Sequence, residues 1–330
     1  MTGKRTKAAA LTPVRLGART IAPPPTISPE AQAYLSTMAA NPRPPRPAVD
    51  DLDAWRAAIT AGEAMWDPVV DDMLARSSSV VETRVMGGAK VHVGAPDGMD
   101  AAARTRAYLY IHGGAFVFGG GRYPMGFAAT NADALGCTVV SVDYRMPPDH
   151  PFPAAPEDCL AVYEALIKTY APAKVAIGGS SAGGNLAAAT ALMIRDRGLP
   201  MPGALVLLTP EVDLTEAGDS FRTNELLDVV LQRGLADCNA LYAAGADLTD
   251  PYLSPLFADY AKGFAPTLIQ TGTRDLFLSN SALMHRKLRA AGIEAELHVW
   301  EGMPHGGFGG TAPEDAEIFA ETRRFIEKHC

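Results

Sequence analysis

The chain has 330 residues, long enough for one large core or two ordinary domains but too short for a string of modules. At 48% hydrophobic and 20% charged it holds enough apolar surface to offset chain entropy, which excludes wholesale disorder. With 37 acidic against 29 basic residues and a formal charge of -8, it lacks the basic footprint that attracts phosphate backbones, so no nucleic-acid partner is expected.

In chain order, Lys4, Arg5 and Lys7 precede only a short apolar stretch, Ala8 to Leu11, which is too brief for a secretory signal. No later segment approaches the ~20 apolar residues of a membrane span, so a soluble cytoplasmic protein with no membrane partner is the expectation. Residues 1 to about 50 are rich in proline, including Pro23-Pro24-Pro25 and the run from Pro42 to Pro47, and read as an extended arm. From Asp50 to Ser78, Leu52, Trp55, Ile59, Met65, Trp66, Val69, Met73 and Leu74 recur mostly at three- and four-residue steps, predicting an amphipathic helical segment.

Beyond Val80 short apolar runs alternate with helix-length amphipathic stretches, the pattern of a mostly parallel sheet covered on both faces. Strands are predicted at Val80 to Met86, Lys90 to Val93, Ala107 to Ile111, Thr138 to Val142, Lys174 to Ile177, Ala204 to Leu208, Thr267 to Thr271 and Ala295 to Trp300. Helices are predicted at Pro124 to Leu135, Ala154 to Tyr170, Ala182 to Arg197, Ser279 to Ala291 and Pro313 to His329. Residues 212–256 break the rhythm with short helical pieces and read as an insertion beside the functional site. Cys137, Cys159, Cys238 and Cys330 stand far apart with no C-x-x-C pair, fitting neither a metal cage nor a disulfide framework.

The chemistry concentrates in four places. Gly179-Ser180-Ser181-Ala182-Gly183 contains G-x-S-x-G between a predicted strand and a helix opening at Ala182, the context of a strained turn that exposes a nucleophilic serine. His112-Gly113-Gly114 follows another strand, and the N–H groups of Gly113, Gly114 and Ala182 could converge on an oxyanion. Ser181 needs a base, and the base needs an orienting carboxylate. His305, in a Gly/Pro loop after the last strand, is the best base. His92 and His298 sit within strands, His285 lies mid-helix, His329 is terminal, His150 is in a turn, and His112 is placed to brace the glycine loop. Asp275, in the loop after the strand from Thr267, is the preferred acid, with Glu211 and Asp213 competing. The order Ser181, Asp275, His305 is that of α/β-hydrolases.

On these residues, with Val142-Asp143-Tyr144-Arg145 and Pro148-Asp149-His150-Pro151-Phe152-Pro153-Ala154, the sequence from about Ala107 onward resembles the hormone-sensitive-lipase-like branch of α/β-hydrolases, the bacterial carboxylesterases with an H-G-G motif. The resemblance implies an α/β-hydrolase fold, with an eight-stranded mostly parallel sheet whose second strand is antiparallel. Residues 1–79 would be an arm and helical cap segment, and residues 80–330 the catalytic domain with a cap insertion at about 212–256. It implies hydrolysis of short- to medium-chain acyl esters by Ser181, His305 and Asp275 through an acyl-enzyme, with a small-molecule ester substrate, no metal and no cofactor. A homodimer is implied as well.

The sequence departs from the family's usual pattern at three points. Ser180 fills the position usually held by Asp or Thr, Leu276, Phe277, Leu278 and Ser279 follow Asp275 with no second acid, and Asp149 replaces a glutamate before His150. Phe116, beside the glycine loop, and Leu226 or Leu227, in the insertion, are candidates to contact substrate. The same triad could also open lactones, deacetylate or cleave amides, and a non-catalytic small-molecule receptor is the reading from a different class.

Overall fold

A computed structural model describes residues 13–330, so the reading of Lys4, Arg5, Lys7 and Ala8 to Leu11 lies outside the described residues. The sheet runs through β1 (Val80–Met86), β2 (Ala89–Ala95), β3 (Ala107–Ile111), β4 (Thr138–Asp143), β5 (Val175–Ser180), β6 (Ala204–Leu208), β7 (Thr267–Gly272) and β8 (Ala295–Trp300), in the spatial order β1-β2-β4-β3-β5-β6-β7-β8. β2 is antiparallel to both its neighbours and all other pairs are parallel. Gly87 and Gly88 join β1 to β2 with φ of +58° and +91°, the two-residue turn for which glycine pairs are suited.

The central strands are buried on both faces, as parallel strands under crossover helices must be. In β3, Leu109 and Ile111 pack with α4 (Ala154–Leu166), α5 (Ala182–Asp196) and α8 (Leu278–Ala290), while Tyr108 and Tyr110 pack with α3 (Tyr123–Leu135) and α9 (Pro313–His329). β1 carries Glu82 and Arg84 on a largely exposed edge strand, where charge discourages further strand pairing. All four cysteines are buried and free.

Among the described residues, two helices precede the sheet. α2 (Leu52–Arg76) realises the expected periodicity, capped by Asp51, whose carboxylate accepts from Ala54 N–H. Trp55 is buried and donates Nε1–H to Ala48 O at 3.0 Å, and Met73 lies where a Cβ on Gly126 of α3 would stand, so these two helices approach closely. Met65, by contrast, is 67% exposed.

The proline-rich stretch corrects the expectation of a wholly extended arm, because it contains α1 (Pro29–Ala39). Proline is unfavourable inside a helix yet favoured in its first turn, and Pro29 opens this one with Ser28 as its cap. Ser28 also donates its N–H and Oγ–H to Glu314 of α9, each at 2.7 Å. Ala31 and Leu35 are buried in a cluster with Met303 and Phe308, so α1 is fastened beside the loop that carries His305. Between β6 and β7 the insertion holds α6 (Ser220–Thr223) and α7 (Ala236–Ala243).

Candidate active site

β3 connects toward β4 and β5 connects toward β6, so the crossovers diverge between β3 and β5. Divergence of this kind opens a crevice at the carboxyl ends of strands, where open α/β sheets place their ligands. Ser181 and the 112–114 loop sit at that crevice.

Ser181 bridges β5 and α5 with φ +59° and ψ −124°, a conformation L-residues seldom adopt. Its N–H donates to Leu208 O at 2.9 Å and its carbonyl accepts Asn185 N–H at 3.2 Å. The flanking glycines are there for close approach: a Cβ on Gly179 or Gly183 would collide with the carbonyl oxygen of Ile111 at the end of β3. A Cβ on Gly113 would stand 3.2 Å from the Ser181 Cβ, which places the glycine loop directly against the serine. Among the described residues, the N–H groups of Gly113 and Gly114 donate to no protein acceptor. Ala182 is the first residue of α5, where a helix leaves its N–H groups unpaired. The glycine loop and the first turn of α5 thus leave backbone donors unpaired close to Ser181.

His112 braces this loop as expected. Its Nδ1–H donates to Gly113 O at 2.7 Å, its ring stacks on Tyr144 with centroids 4.1 Å apart, and Tyr144 Oη donates to His112 O at 3.0 Å. Burial holds the imidazole neutral by lowering its pKa to about 4. The Val142–Arg145 motif is scaffolding too: Asp143 accepts Gly121 N–H at 3.1 Å, and Arg145 pairs with Asp158 of α4 at 2.7 Å.

Beyond β7, Asp275 is wholly buried. Its Oδ1 accepts Phe277 N–H at 3.0 Å and faces His305 Nδ1 at 3.1 Å, while Oδ2 accepts Thr271 Oγ1–H at 2.6 Å. A carboxylate oxygen at this distance can only accept from the ring, so the proton sits on Nδ1 and Nε2 is left free to accept. Phe277 stands edge-on to the His305 ring at 4.8 Å and limits its tilt. Asp275 is therefore the carboxylate that meets His305. Glu211 is instead held by Asn239 Nδ2 at 2.8 Å and burial pushes its carboxyl well above the ordinary range, and Asp213 accepts from Thr215.

Ser181 and His305 share the carboxyl edge of the sheet and are 7% and 6% exposed, so little water reaches either. Among the described residues Ser181 Oγ and His305 Nε2 are not hydrogen-bonded to each other in this conformation. Bonds of this kind commonly tighten only with substrate in place. Phe116 and Leu226 are the sequence's candidates to contact substrate. Phe116 is fully buried and stacks on Tyr242 at 4.3 Å, which gives it a packing role. Leu226 is 78% exposed and lines a cavity of about 400 Å³ with Arg19, Leu35, Glu225 and Arg274, whose walls do not include Ser181.

Sequence reasoning missed Thr271, Asn224 and Asp228, all of which bond to the acid loop. Thr271, four residues before Asp275, was within reach of a local reading. The other two act across about fifty residues of chain and left no local signal.

Comparison with known proteins agrees with this architecture. A family profile described as alpha/beta hydrolase fold matches residues 108–308. The chain is 30% identical to the carboxylic ester hydrolase LipN of Mycobacterium tuberculosis, over 86% of this chain and 89% of that one. It is 34% identical to an acetyl-hydrolase of Streptomyces hygroscopicus, over 61% of this chain and 67% of that one. Among solved structures, the esterase E25 superposes with a TM-score of 0.87 at 36% identity, covering 96% of this chain and 99% of that one. An esterase described as belonging to the bacterial hormone-sensitive lipase family superposes with a TM-score of 0.78 at 31% identity, covering 92% and 98%. By sequence and by fold, the chain belongs to the α/β-hydrolases, in the hormone-sensitive-lipase-like branch of bacterial esterases.

Proposed function

We propose that the protein hydrolyses carboxylic esters with short to medium acyl chains through an acyl-enzyme on Ser181. The observation that carries this reading is the buried Asp275–His305 pair, 3.1 Å apart, on the same sheet edge as a strained serine with glycine N–H donors against it. Relatives named esterase, carboxylic ester hydrolase and acetyl-hydrolase support the ester as substrate class and acetyl esters at its short end.

The proposed reaction proceeds in two halves. A serine hydroxyl is a weak nucleophile at neutral pH, so His305 Nε2 takes its proton as Oγ attacks the ester carbonyl. Asp275 keeps the Nδ1 proton in place and stabilises the imidazolium. The carbonyl oxygen becomes an oxyanion and accepts from the N–H groups of Gly113, Gly114 and Ala182, a reading supported by the close approach of the glycine loop to Ser181. His305 then protonates the leaving alkoxide. In the second half it activates water, which attacks the acyl carbon and releases the acid.

Initial rates on p-nitrophenyl esters from acetate to dodecanoate test the reading, with Ser181→Ala measured beside Ser180→Ala. Best turnover on short chains, loss in Ser181→Ala and survival in Ser180→Ala are expected. Wild-type turnover retained by Ser181→Ala would reject the nucleophile.

A further inference from the structure

Asp228 lies in the insertion between β6 and β7 and is wholly buried. Its Oδ1 accepts the N–H groups of Val230 at 2.9 Å, Leu231 at 3.2 Å and His305 at 3.3 Å, and its Oδ2 accepts Leu276 N–H at 2.9 Å. The first two bonds fold the insertion around the carboxylate. The other two reach the residue after Asp275 and His305 itself. Carboxylate oxygens of Asp228 and Asp275 and a ring nitrogen of His305 all lie within 4.8 Å of one another. Asn224, four residues earlier, donates Nδ2 to the carbonyls of Thr273 at 3.2 Å and Asp275 at 2.8 Å. Neither Asp228 nor Asn224 has a part in the acyl-transfer steps above.

Such an arrangement has two consequences. Arg274 N–H to Met303 O, at 3.2 Å, already ties the acid and base loops at their roots, whereas Asp228 ties them where the reacting groups stand. It also puts a second carboxylate beside an imidazole that must become cationic during proton transfer. Burial pushes the Asp228 carboxyl above its ordinary range and the Asp275 charge adds to this, while the His305 charge and the N–H donors pull the other way. The four N–H donors favour the charged form against that burial. The other ionisable groups around the His305 loop are Asp315 of α9, which accepts Phe308 and Gly310 N–H, Tyr34 of α1, edge-on to Phe308, and Arg274, which donates to Ala22 O. None of them hydrogen-bonds to His305 among the described residues.

We infer that Asp228 is a positioning residue of this site: its carboxylate joins the acid loop to the base loop through Leu276 and His305 N–H, and its charge favours the imidazolium on His305. The insertion then belongs to the proton-transfer machinery. This rests on the assignment of His305 as the base, and the experiment separates the two.

The test compares kcat, KM and the pH profile of kcat/KM on p-nitrophenyl acetate for wild type, Asp228→Asn, Asn224→Ala, His305→Ala and the Asp228→Asn/His305→Ala double variant. Asp228→Asn should lose about 10²-fold in kcat, as misplaced catalytic groups do, with KM little changed. Its acid limb should move to lower pH by about half a unit or more, because a carboxylate within 4.8 Å no longer supports the cation. Asn224→Ala removes a neutral clasp, so it should leave the limb in place. In the His305→Ala background, Asp228→Asn should cost nothing further. Wild-type kcat in Asp228→Asn, a kcat loss with an unmoved acid limb, or a further loss in the His305→Ala background would each overturn the inference. Should Asp228→Asn fail to fold, Asp228→Ser, smaller and uncharged with one acceptor retained, is read by the same criteria. Wild-type turnover in His305→Ala would instead reject the base assignment itself.

Discussion

Ser181 holds φ +59° because the strand-to-helix turn leaves it no other course, and such strain costs of order 1–3 kcal/mol. The surroundings must enforce it, and they do so through absent side chains: Gly183→Ala would drive a Cβ into the carbonyls of Ile111 and His112. Asp275→Asn is expected to lower kcat by about 10⁴-fold with binding largely kept, as in serine-protease triads, because an amide no longer secures the right tautomer of His305. Steady-state kinetics on a short ester checks this, and turnover near that of wild type would reject Asp275 as the orienting acid.

His112 makes a separate prediction about stability. Its folded pKa of about 4 lies below the 6.5 of a free imidazole, so between those values the unfolded chain binds the extra proton. Stability from this group is full above pH 6.5 and falls as the pH drops toward 4, by of order 3 kcal/mol in total. Urea midpoints of wild type and His112→Gln at pH 7 and pH 5 measure it. The wild-type midpoint should fall more steeply, and parallel lines would contradict the assignment.

Among the elements, α1 and the insertion carry the lesson about what a sequence shows. Strand and helix identities from β1 to α9 were legible because apolar periodicity and glycine punctuation there follow local rules, and most boundaries fell within a few residues. α1 was not, since the prolines around it outweighed Ser28-Pro29, a helix start. If α1 is a packed element rather than an arm, Leu35→Ala should cost about 2–5 kcal/mol, as buried Leu truncations do. A melting temperature equal to that of wild type would return α1 to the status of an arm.

Ser181, Asp275 and His305 could be picked out because each closes a recognisable strand-end motif. Asp228 could not, because its meaning depends on meeting Leu276 and His305, 48 and 77 residues away. The four residues after Asp275 hold no acid, so nothing nearby hinted at a second carboxylate.

At the scale of the molecule, one sheet serves two purposes. Its two faces supply the cores under α4, α5 and α8 on one side and α3 and α9 on the other. Its carboxyl edge collects the loops after β3, β5, β7 and β8, so residues 113, 181, 275 and 305 share one edge though nearly 200 positions separate the first from the last. No helix of the described residues is long and apolar enough to cross a membrane. The proposed chemistry places one nucleophile, Ser181, on this edge, activated by His305. The most direct measurement is covalent labelling with diethyl p-nitrophenyl phosphate, read by intact mass and peptide mapping. One diethylphosphoryl group on Ser181, absent in Ser181→Ala and formed far more slowly in His305→Ala, is the predicted result. An adduct on Ser180, or no adduct from a preparation that turns over p-nitrophenyl acetate, would contradict it.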